Sequence, residues 1–375
     1  MATTDTAPPS ADGTPTSPAD GRPSVLVVDD RPRALSTRTL DDSASLVGSA
    51  LGALALVWLV YSQILGWDGV LGFLILWYLA MLGLYAGVTA LANPRTVVID
   101  RLAMAWVYAG AIVVGFALAT TLVYTLWQGV EALRHWNFYR HDMAGVGPID
   151  PLTQGGVLHA MVGSFIEVGI AVVIALPLGI GTAVYITEVP GRGGRWVRTV
   201  VEAMTALPDI LAGLFIYVTL IIGLGVQRSG FAAAMALTVM MTPIIARSAE
   251  VQLRVVPGGL REAGLALGAS QWRTVRNVVL PTAKAGLATA LILGVARAVG
   301  ETAPVLITSG ASTFLNANPF QNPMNSLPLF ILFAVRSGQP IDIARGFGAA
   351  AILLVLVLVM FVMTRFLARD RVGKR

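Results

Sequence analysis

Eight long apolar segments constrain this 375-residue chain more than any other feature of its sequence. They lie at about 45–65, 70–92, 102–127, 157–187, 208–226, 231–249, 285–308 and 346–367. Each is close to or longer than the ~20 residues that an α-helix needs to cross about 30 Å of hydrocarbon. Lipid offers no hydrogen bonds to a free backbone, so the spanning segments are predicted to be helices. The predicted fold class is therefore all-α, a polytopic transmembrane helical bundle with about eight spans.

The composition excludes several classes of protein. Charged residues make up 13% of the chain, whereas soluble domains carry about 25%, so a soluble enzyme of this length is excluded. The net charge of +5 does not indicate a nucleic-acid partner, because the basic residues lie in short segments between the spans. The chain has no cysteine, and its three histidines form no metal-spaced pair, so no metal or other cofactor is predicted to bind it.

The arginines and lysines also predict the topology. If the N-terminus lies in the cytoplasm, the inner segments hold 19 basic residues and the outer segments hold five, which is the bias expected of cytoplasmic loops. Both termini are therefore predicted to be cytoplasmic. Residues 1–43, rich in Pro, Ser, Thr and Asp, are predicted to form a disordered cytoplasmic tail. An extra two-span segment at 44–95 is predicted to precede a core at 96–375.

The longest inner segment, at 250–284, has the pattern of two short helices joined at a glycine. Leu260, Ala263 and Leu267 recur at helical spacing. Gly268 then provides the left-handed residue that commonly ends a helix, and Ser270 can cap the next helix. We call residues 250–284 the elbow and predict that it is exposed to the cytoplasm.

The elbow resembles the EAA loop of ABC importer permeases. That pattern is Glu-Ala-Ala, three residues, Gly, nine residues and Ile-x-Leu-Pro, and its spacing is kept here, with glycine for the second alanine and valine for the isoleucine. The matching residues are Glu262, Ala263, Gly264, Gly268, Leu280 and Pro281. A glycine inside a helix costs up to ~1 kcal/mol, so Gly264 mildly weakens the predicted helix. The resemblance implies that the elbow docks onto an ATP-hydrolysing subunit, with Glu262 as the polar anchor, and moves as a lever.

A phosphate-binding loop of the Gly-Lys-Ser/Thr type is missing from the chain. The chain is therefore predicted to be a non-catalytic membrane subunit that hydrolyses no ATP. ATP and Mg²⁺ are expected at a partner ATPase.

Several charged residues in or near the spans are candidates for a substrate pathway or for helix bracing. A charge near the bilayer centre costs about 2.5–3.5 kcal/mol on insertion scales, so it normally faces protein or water. Arg297 and Glu301 are four residues apart and are predicted to share one helical face. They either brace the bundle or, together with Arg247, provide positive potential along an anion path, since a guanidinium forks onto oxyanions. For Glu167 and Asp209 we favour helix bracing.

The segment around Arg297 makes the resemblance more specific. Residues 296–304 read Ala-Arg-Ala-Val-Gly-Glu-Thr-Ala-Pro, which is similar to the Arg-x-x-Gly-Glu-Thr-Ala-Pro stretch of PstA-type phosphate permeases. Residues 150–160 also look like the approach to that family's first core span. The resemblance covers about residues 100–370 and implies a type I ABC importer permease core that imports inorganic phosphate across a bacterial plasma (inner) membrane. The pathway residues that we infer with it are Arg247, Arg261, Arg297, Glu301 and Thr302.

The resemblance also implies the partners of the chain. A second, homologous permease subunit would complete the translocation pathway, and a dimer of ATPase subunits would dock at the elbow. An extracytoplasmic phosphate-binding protein would deliver the anion to the outer loops near 128–155 and 309–345, which are long enough to meet it. Membrane lipid would surround the spans.

Three alternatives stay open at the level of sequence. The same machine could import another oxyanion, such as sulfate or molybdate. An ion-coupled secondary transporter would also span the membrane many times, although the elbow argues against it. The chain could also be a membrane scaffold that reports phosphate status to a kinase, either instead of transport or in addition to it.

Overall fold

All regular secondary structure in the described residues is helical. The structure, a computed structural model, describes residues 40–189 and 191–368, so most of the predicted tail and the last basic residues lie outside the described residues. The helices are, in chain order, α1 (Leu40–Val57), α2 (Val70–Ala92), α3 (Arg95–Leu133), α4 (Asn137–Arg140), α5 (Leu158–Glu188), α6 (Arg192–Thr205), α7 (Asp209–Ile216), α8 (Gly230–Val255), α9 (Gly258–Ala266), α10 (Gln271–Thr274), α11 (Leu280–Val299), α12 (Ala303–Thr308), α13 (Leu327–Arg336) and α14 (Pro340–Ala368). Short π-helical stretches extend α1 (Trp58–Ile64) and α7 (Tyr217–Gly223) and join α10 to α11 (Val275–Val279). The predicted all-α fold class is confirmed.

Seven helices in the described part of the chain are long and apolar enough to cross a membrane. The helices α6 and α7 form a bent pair that would make an eighth span, with an angle of 102° between Arg192–Thr205 and Asp209–Gly223. All eight predicted segments overlap these helices, so the expected count of about eight is confirmed. The longest helix, α3, has 39 residues and therefore extends well beyond the ~20 residues needed to cross the hydrocarbon.

Pro177 lies inside α5, which runs without a break from Leu158 to Glu188, and neighbouring helices can compensate for its missing N–H. One predicted span differs from the structure. The predicted seventh span at 285–308 is broken, because α11 ends at Val299 and α12 begins separately at Ala303. A proline in the first turn of α12 favours this new helix start. The predicted outer loop at 309–345 contains an apolar helix, α13.

Contacts divide the described residues into two units, with the boundary inside α3 after Ile112. In the first unit, α1 packs against α2 around Ala53 and Met81. The Tyr78 hydroxyl donates a hydrogen bond to the carbonyl of Ala105 at 3.1 Å, which joins α2 to the first part of α3. Many apolar side chains of this unit are exposed, as expected for helices that face lipid. The predicted limits of the two-span segment stay a prediction.

The second unit is arranged around α8, which is buried along most of its length. Helices α5 and α11 both pack against it. Gly179 of α5 and Gly294 of α11 both lie against Ile245 of α8, and a Cβ atom at either glycine would come within 2.7 Å of the Ile245 side chain. Small residues therefore allow the three helix backbones to approach closely, as is common between membrane helices.

A buried arginine fixes the connection between α4 and α5. Arg345 of α14 is 1% exposed. Its guanidinium donates hydrogen bonds to the carbonyl oxygens of Gly147, Asp150, Pro151 and Gln154 at 2.9–3.2 Å. These four bonds attach the connection to α14, in addition to the backbone hydrogen bonds within the connection itself.

Candidate anion pathway and coupling elbow

The elbow forms two short helices joined by a tight turn, in agreement with the sequence pattern. Helix α9 ends in a Schellman motif, in which the N–H of Ala269 donates to the carbonyl of Gly264 at 3.2 Å and the N–H of Gly268 donates to that of Leu265 at 2.9 Å. Gly268 has a φ of 81°, a left-handed value that glycine adopts readily. Ser270 then caps α10, since its hydroxyl accepts a hydrogen bond from the N–H of Arg273 at 3.4 Å.

Gly264 has a packing role that the sequence did not reveal. A Cβ atom at this position would lie 3.0 Å from the Thr274 side chain, so glycine lets α9 and α10 approach each other. Outside this contact the elbow is open. Glu262 is exposed, and the side chains of Leu267 and Trp272 are 89% and 64% exposed. An exposed carboxylate flanked by large exposed apolar groups suits a docking surface.

Arg261 attaches the elbow to the ends of two long helices. It donates hydrogen bonds to the carbonyls of Leu253 and Val256, at the end of α8, at 2.8 and 2.7 Å. It also forms a salt bridge with Glu188, the last residue of α5, at 3.0 Å. The Gln271 side chain donates to the carbonyl of Glu188 as well. Because these contacts occupy the guanidinium, they favour a bracing role for Arg261 over the predicted pathway role.

The second half of the elbow continues into the helix that carries Arg297. The stretch from Gln271 to Val299 forms one helical run of 29 residues, and Leu280 and Pro281 lie at the start of α11 within it. At 1.5 Å per residue, Gln271 and Arg297 are roughly 39 Å apart along this run. The elbow and the candidate pathway are therefore joined by continuous helical backbone.

Arg297 lies between two carboxylates. It forms a salt bridge with Asp209, the first residue of α7, and its guanidinium lies 3.7 Å from the carboxylate of Glu301. Glu301 follows the end of α11, so the two residues are close although they do not share one helix as predicted. The sequence did not associate Asp209 with Arg297, which is 88 residues away. With all three groups ionised, the cluster carries a net charge of −1.

A cavity of about 430 Å³ adjoins this cluster. Its charged lining groups are Asp209 and Arg297, and most of the remaining lining is apolar side chains from the α6–α7 junction, α8 and α11. The side chain of Arg297 is 50% exposed, against 29% for Asp209 and 17% for Glu301. Arg297 is therefore the charged group most accessible to a solute, and its apolar surroundings strengthen its interaction with an anion relative to bulk water.

Close packing of α7 against α12 positions Asp209. Gly213, one turn further along α7, lies against Pro304, and a Cβ atom at Gly213 would come within 2.5 Å of the Cα of Pro304. Thr302 directly precedes α12, and its carbonyl accepts a hydrogen bond from the N–H of Leu306 at 2.9 Å. Of the predicted pathway residues, Thr302 thus helps to start the helix that supports the Arg297 cluster.

Arg247 belongs to a different cluster, centred on a buried carboxylate. Glu250 of α8 is 2% exposed and binds Arg198, Arg247 and Arg254 at 2.8, 3.1 and 2.7 Å. Arg247 also lies 3.4 Å from Glu202 of α6. The structure therefore does not place Arg247 in the Arg297 cluster. The spacing of Arg247, Glu250 and Arg254 on α8 could have indicated part of this cluster, but the partners on α6 had no such signal.

Polar residues also brace the connections predicted to lie outside. The Ser309 hydroxyl donates to the Glu167 carboxylate at 2.7 Å, which agrees with the bracing role expected for Glu167. The Asp142 carboxylate accepts hydrogen bonds from the N–H groups of Leu315 and Ala144 at 2.8 and 3.2 Å. The bond from Leu315 is the main reason why the pKa of Asp142 lies below its ordinary value. This carboxylate joins the α4–α5 connection to the segment that follows α12.

Comparison with known families decides the relationship of the chain. The profile of the family described as "Binding-protein-dependent transport system inner membrane component" matches residues 175–372, more than half of the chain. The chain belongs to this family. The matched range contains the elbow, Arg297, Asp209 and the cavity beside them, so the site described above lies within the part of the chain that defines the family. Together with its apolar helices, this membership makes the chain a multi-pass inner-membrane component.

Two proteins of similar sequence support the same assignment. The chain is 39% identical over 258 residues to the phosphate transport system permease protein PstA 1 of Mycobacterium tuberculosis, covering 67% of this chain and 83% of the relative. It is 33% identical over 269 residues to the phosphate transport system permease protein PstA of Haemophilus influenzae, covering 71% of this chain and 92% of the relative.

Solved structures of ABC transporters are also similar to the chain. A chain of a bacterial ABC transporter involved in the import of the acidic polysaccharide alginate is 15% identical, with a TM-score of 0.49, covering 73% of this chain and 99% of that one. A chain of the MetNI methionine ABC transporter in an inward-facing conformation is 24% identical, with a TM-score of 0.44, covering 58% of this chain and 95% of that one.

Proposed function

We propose that this chain is the transmembrane permease subunit of an ATP-driven importer of inorganic phosphate. The observation that carries the proposal is the sustained identity to relatives named as phosphate permeases, at 39% and 33% over most of their length. These relatives do not favour the alternatives of another oxyanion or an ion-coupled carrier, because their names specify phosphate and the family depends on a binding protein.

Arg297 is the proposed contact for the anion. It is half exposed beside a cavity of about 430 Å³, and its planar guanidinium can bind two oxygens of an oxyanion at once. Its two carboxylate neighbours compete for the same donors, so phosphate would have to displace Asp209 or Glu301. Such an exchange keeps Arg297 paired when the pathway is empty and gives only moderate affinity when it is filled, which suits a site that must release its ion. In this proposal Arg247 and Arg261 brace the inner end of the bundle.

The elbow is the proposed site of coupling to a separate ATPase dimer, which would bind the ATP and Mg²⁺. Glu262 and the exposed Leu267 and Trp272 would enter the ATPase surface. Movement of that surface would displace the helical run from Gln271 to Val299, and with it Arg297. The attachment of Arg261 to Glu188 would transmit the same movement to α5.

The chain by itself would form half of a translocation pathway. We propose a second, homologous permease subunit for the other half, an extracytoplasmic phosphate-binding protein on the outer side, and cytoplasmic locations for both termini. A subunit of this kind is non-catalytic, because the hydrolysis of ATP takes place on its partner.

Reconstituted transport tests the proposal. The chain, with the subunits that assemble with it, is placed in liposomes with ATP inside and the binding protein and labelled phosphate outside. We expect uptake that requires ATP and persists in a tenfold excess of sulfate or molybdate. Uptake that is abolished by either competitor would reassign the substrate, and uptake that needs an ion gradient but no ATP would refute the importer.

Replacement of Glu262 tests the coupling assignment separately. Glu262→Ala is expected to reduce ATP-driven uptake severalfold or more at normal abundance in the membrane, because the polar anchor of the elbow is lost. Asp100→Ala removes an exposed carboxylate of α3 that lies outside the elbow and the outer loops and serves as the matched control, with unchanged uptake. Equal uptake by both variants would refute the role of Glu262 and leave the substrate assignment untouched.

A further inference from the structure

The helix α6 has three different faces. Gly194 and Val201 are buried against the rest of the second unit, where Val201 packs with Ile186 and Ala246. A second face is polar and exposed, and a third is apolar and also exposed. This arrangement is unusual for a plain connector, which needs only one apolar face.

The two exposed faces are distinct stripes of the same helix. The apolar stripe consists of Trp196, Val200 and Ala203, which are three or four residues apart and therefore neighbours on the helix surface. The Trp196 and Val200 side chains are 72% and 54% exposed. The polar stripe consists of Arg192, Arg195 and Thr199, also exposed. In the described part of the chain, no carboxylate pairs with Arg192 or Arg195.

The charges of α6 keep it out of the bilayer centre, so it contributes at most the inner end of the bent eighth span. Arg192, Arg195, Arg198 and Glu202 fall within its 14 residues, and charges at this density do not enter the bilayer centre. The apolar segment that follows it, Asp209–Gly223, makes an angle of 102° with α6. The chain therefore changes direction sharply between α6 and this apolar segment.

Contacts with α8 give the depth of α6. Arg198 binds Glu250, near the elbow end of α8, whereas the later residue Val201 packs on Ala246, one turn further from the elbow. The first turns of α6, with Arg192, Arg195 and Trp196, are thus at the level of the end of the bundle. The later residues, next to Val201, lie about one turn of α8 deeper, so α6 is inclined to the membrane surface.

We propose that α6 is an interfacial helix that binds anionic phospholipid at the cytoplasmic surface of the membrane. Arginines attract anionic headgroups, at roughly 1 kcal/mol for each basic residue close to the surface. Tryptophan is the residue most typical of the boundary between headgroups and acyl chains. A basic stripe beside an apolar stripe on one helix matches a lipid surface, which presents phosphate groups and acyl chains at adjacent depths.

Spin labels test the proposal, and the absence of cysteine from the chain makes single labels simple to place. Val200→Cys and Thr199→Cys are labelled with a nitroxide in the full chain assembled with its partner subunits, in nanodiscs of phosphatidylcholine with increasing phosphatidylglycerol. The collision rates with oxygen, which enriches in lipid, and with a water-soluble nickel complex give the depth of each label. We expect the label at position 200 to favour oxygen and the label at position 199 to favour nickel.

The phosphatidylglycerol series tests the charge component. The label at position 200 is expected to move deeper as the anionic fraction rises, and this shift should be lost in Arg192→Gln/Arg195→Gln. The matched control, Arg273→Gln/Arg276→Gln, removes two exposed arginines of the elbow and should keep the shift. A label at position 200 that reaches neither oxygen nor nickel would indicate a protein partner on this face and overturn the proposal. So would nickel access equal to that at position 199, or a depth that ignores phosphatidylglycerol in the original sequence.

Discussion

The pairing of Arg297 with Asp209 allows a pathway role to be separated from a bracing role. If Arg297 only braces α11 against α7, its contribution is the free energy of its salt bridge with Asp209. The Arg297 side chain in this salt bridge is half exposed. Exposed ion pairs contribute about 0–1 kcal/mol. Loss of the brace in Arg297→Gln should then reduce uptake by no more than about fivefold, since 1.36 kcal/mol corresponds to a factor of ten.

A pathway role predicts a larger loss. A hydrogen bond to a charged partner contributes about 1.5–3 kcal/mol, which corresponds to a factor of roughly 10 to 150 in rate. We therefore expect Arg297→Gln to reduce phosphate uptake at least about tenfold. Arg297→Lys should be intermediate, because its ammonium keeps the charge but loses the planar fork.

The double variant Asp209→Asn/Arg297→Gln distinguishes the two roles most clearly. Neutralising both members of a brace removes the unpaired carboxylate and should restore much of the uptake. If Arg297 contacts the anion, removal of its competitor restores nothing, and the double variant stays as low as Arg297→Gln. Asp209→Asn alone should keep uptake or raise it, because Arg297 is then held only by Glu301.

The assay is the initial rate of labelled-phosphate uptake at saturating ATP, with the abundance of the chain in the membrane measured in parallel. Recovery of the double variant to near the original rate would refute the assignment of Arg297 to the pathway. An exposed ion pair accounts for a loss of up to about fivefold. A loss smaller than this in Arg297→Gln would also refute the assignment of Arg297 to the pathway.

Three further predictions concern the elements that support this site. Gly213→Ala should destabilise the α7–α12 contact by about 1–3 kcal/mol through overpacking against Pro304. It should lower both the thermal unfolding temperature and uptake. The control Gly169→Ala, where a Cβ atom meets nothing within 4 Å, should lower neither. Gly268→Ala should destabilise the turn of the elbow by about 1–2 kcal/mol, because Gly268 has a left-handed φ, and should speed amide hydrogen exchange in α9. Gly268→Asn should speed this exchange less. Equal exchange rates in the two variants would contradict the account. The pKa of Asp142 lies below its ordinary value of 3.8, so its contribution to stability is present above that value and is lost as the pH falls below it. Exchange at the Leu315 amide should rise in that acidic range, relative to the intrinsic rate, and Asp142→Asn should remove the pH dependence.

Local patterns in the sequence predicted the features that depend on neighbouring residues. The apolar segments found the spanning helices, because length and hydropathy decide whether a helix crosses a bilayer. The elbow was equally visible, since Gly268 and Ser270 act on backbone groups within a few residues of themselves. The break after Val299 was missed, because the hydropathy of residues 285–308 gives no sign of where a helix ends.

Contacts between distant residues could not be predicted from one sequence. Asp209 and Arg297 are 88 residues apart, and the packing of α7 and α11 against α8, with α12 beside α7, brings them together. Glu250 binds one arginine from α6 and two from α8, so Arg247 lies in a different charged cluster from Arg297, which the sequence did not indicate. From the sequence, Gly264 was expected only to weaken its helix, whereas in the structure it allows close packing against Thr274.

Uptake of labelled phosphate by phosphate-starved cells that lack this gene, with and without the gene restored, tests the central claim most directly. The rate is measured with cellular ATP maintained, proton and sodium gradients collapsed, and excess sulfate or molybdate present. The account predicts that restoring the gene restores uptake under all of these conditions. Gene-dependent uptake that disappears with the gradients, or that sulfate or molybdate abolishes, would contradict it, as would equal uptake with and without the gene when the partner subunits are expressed normally.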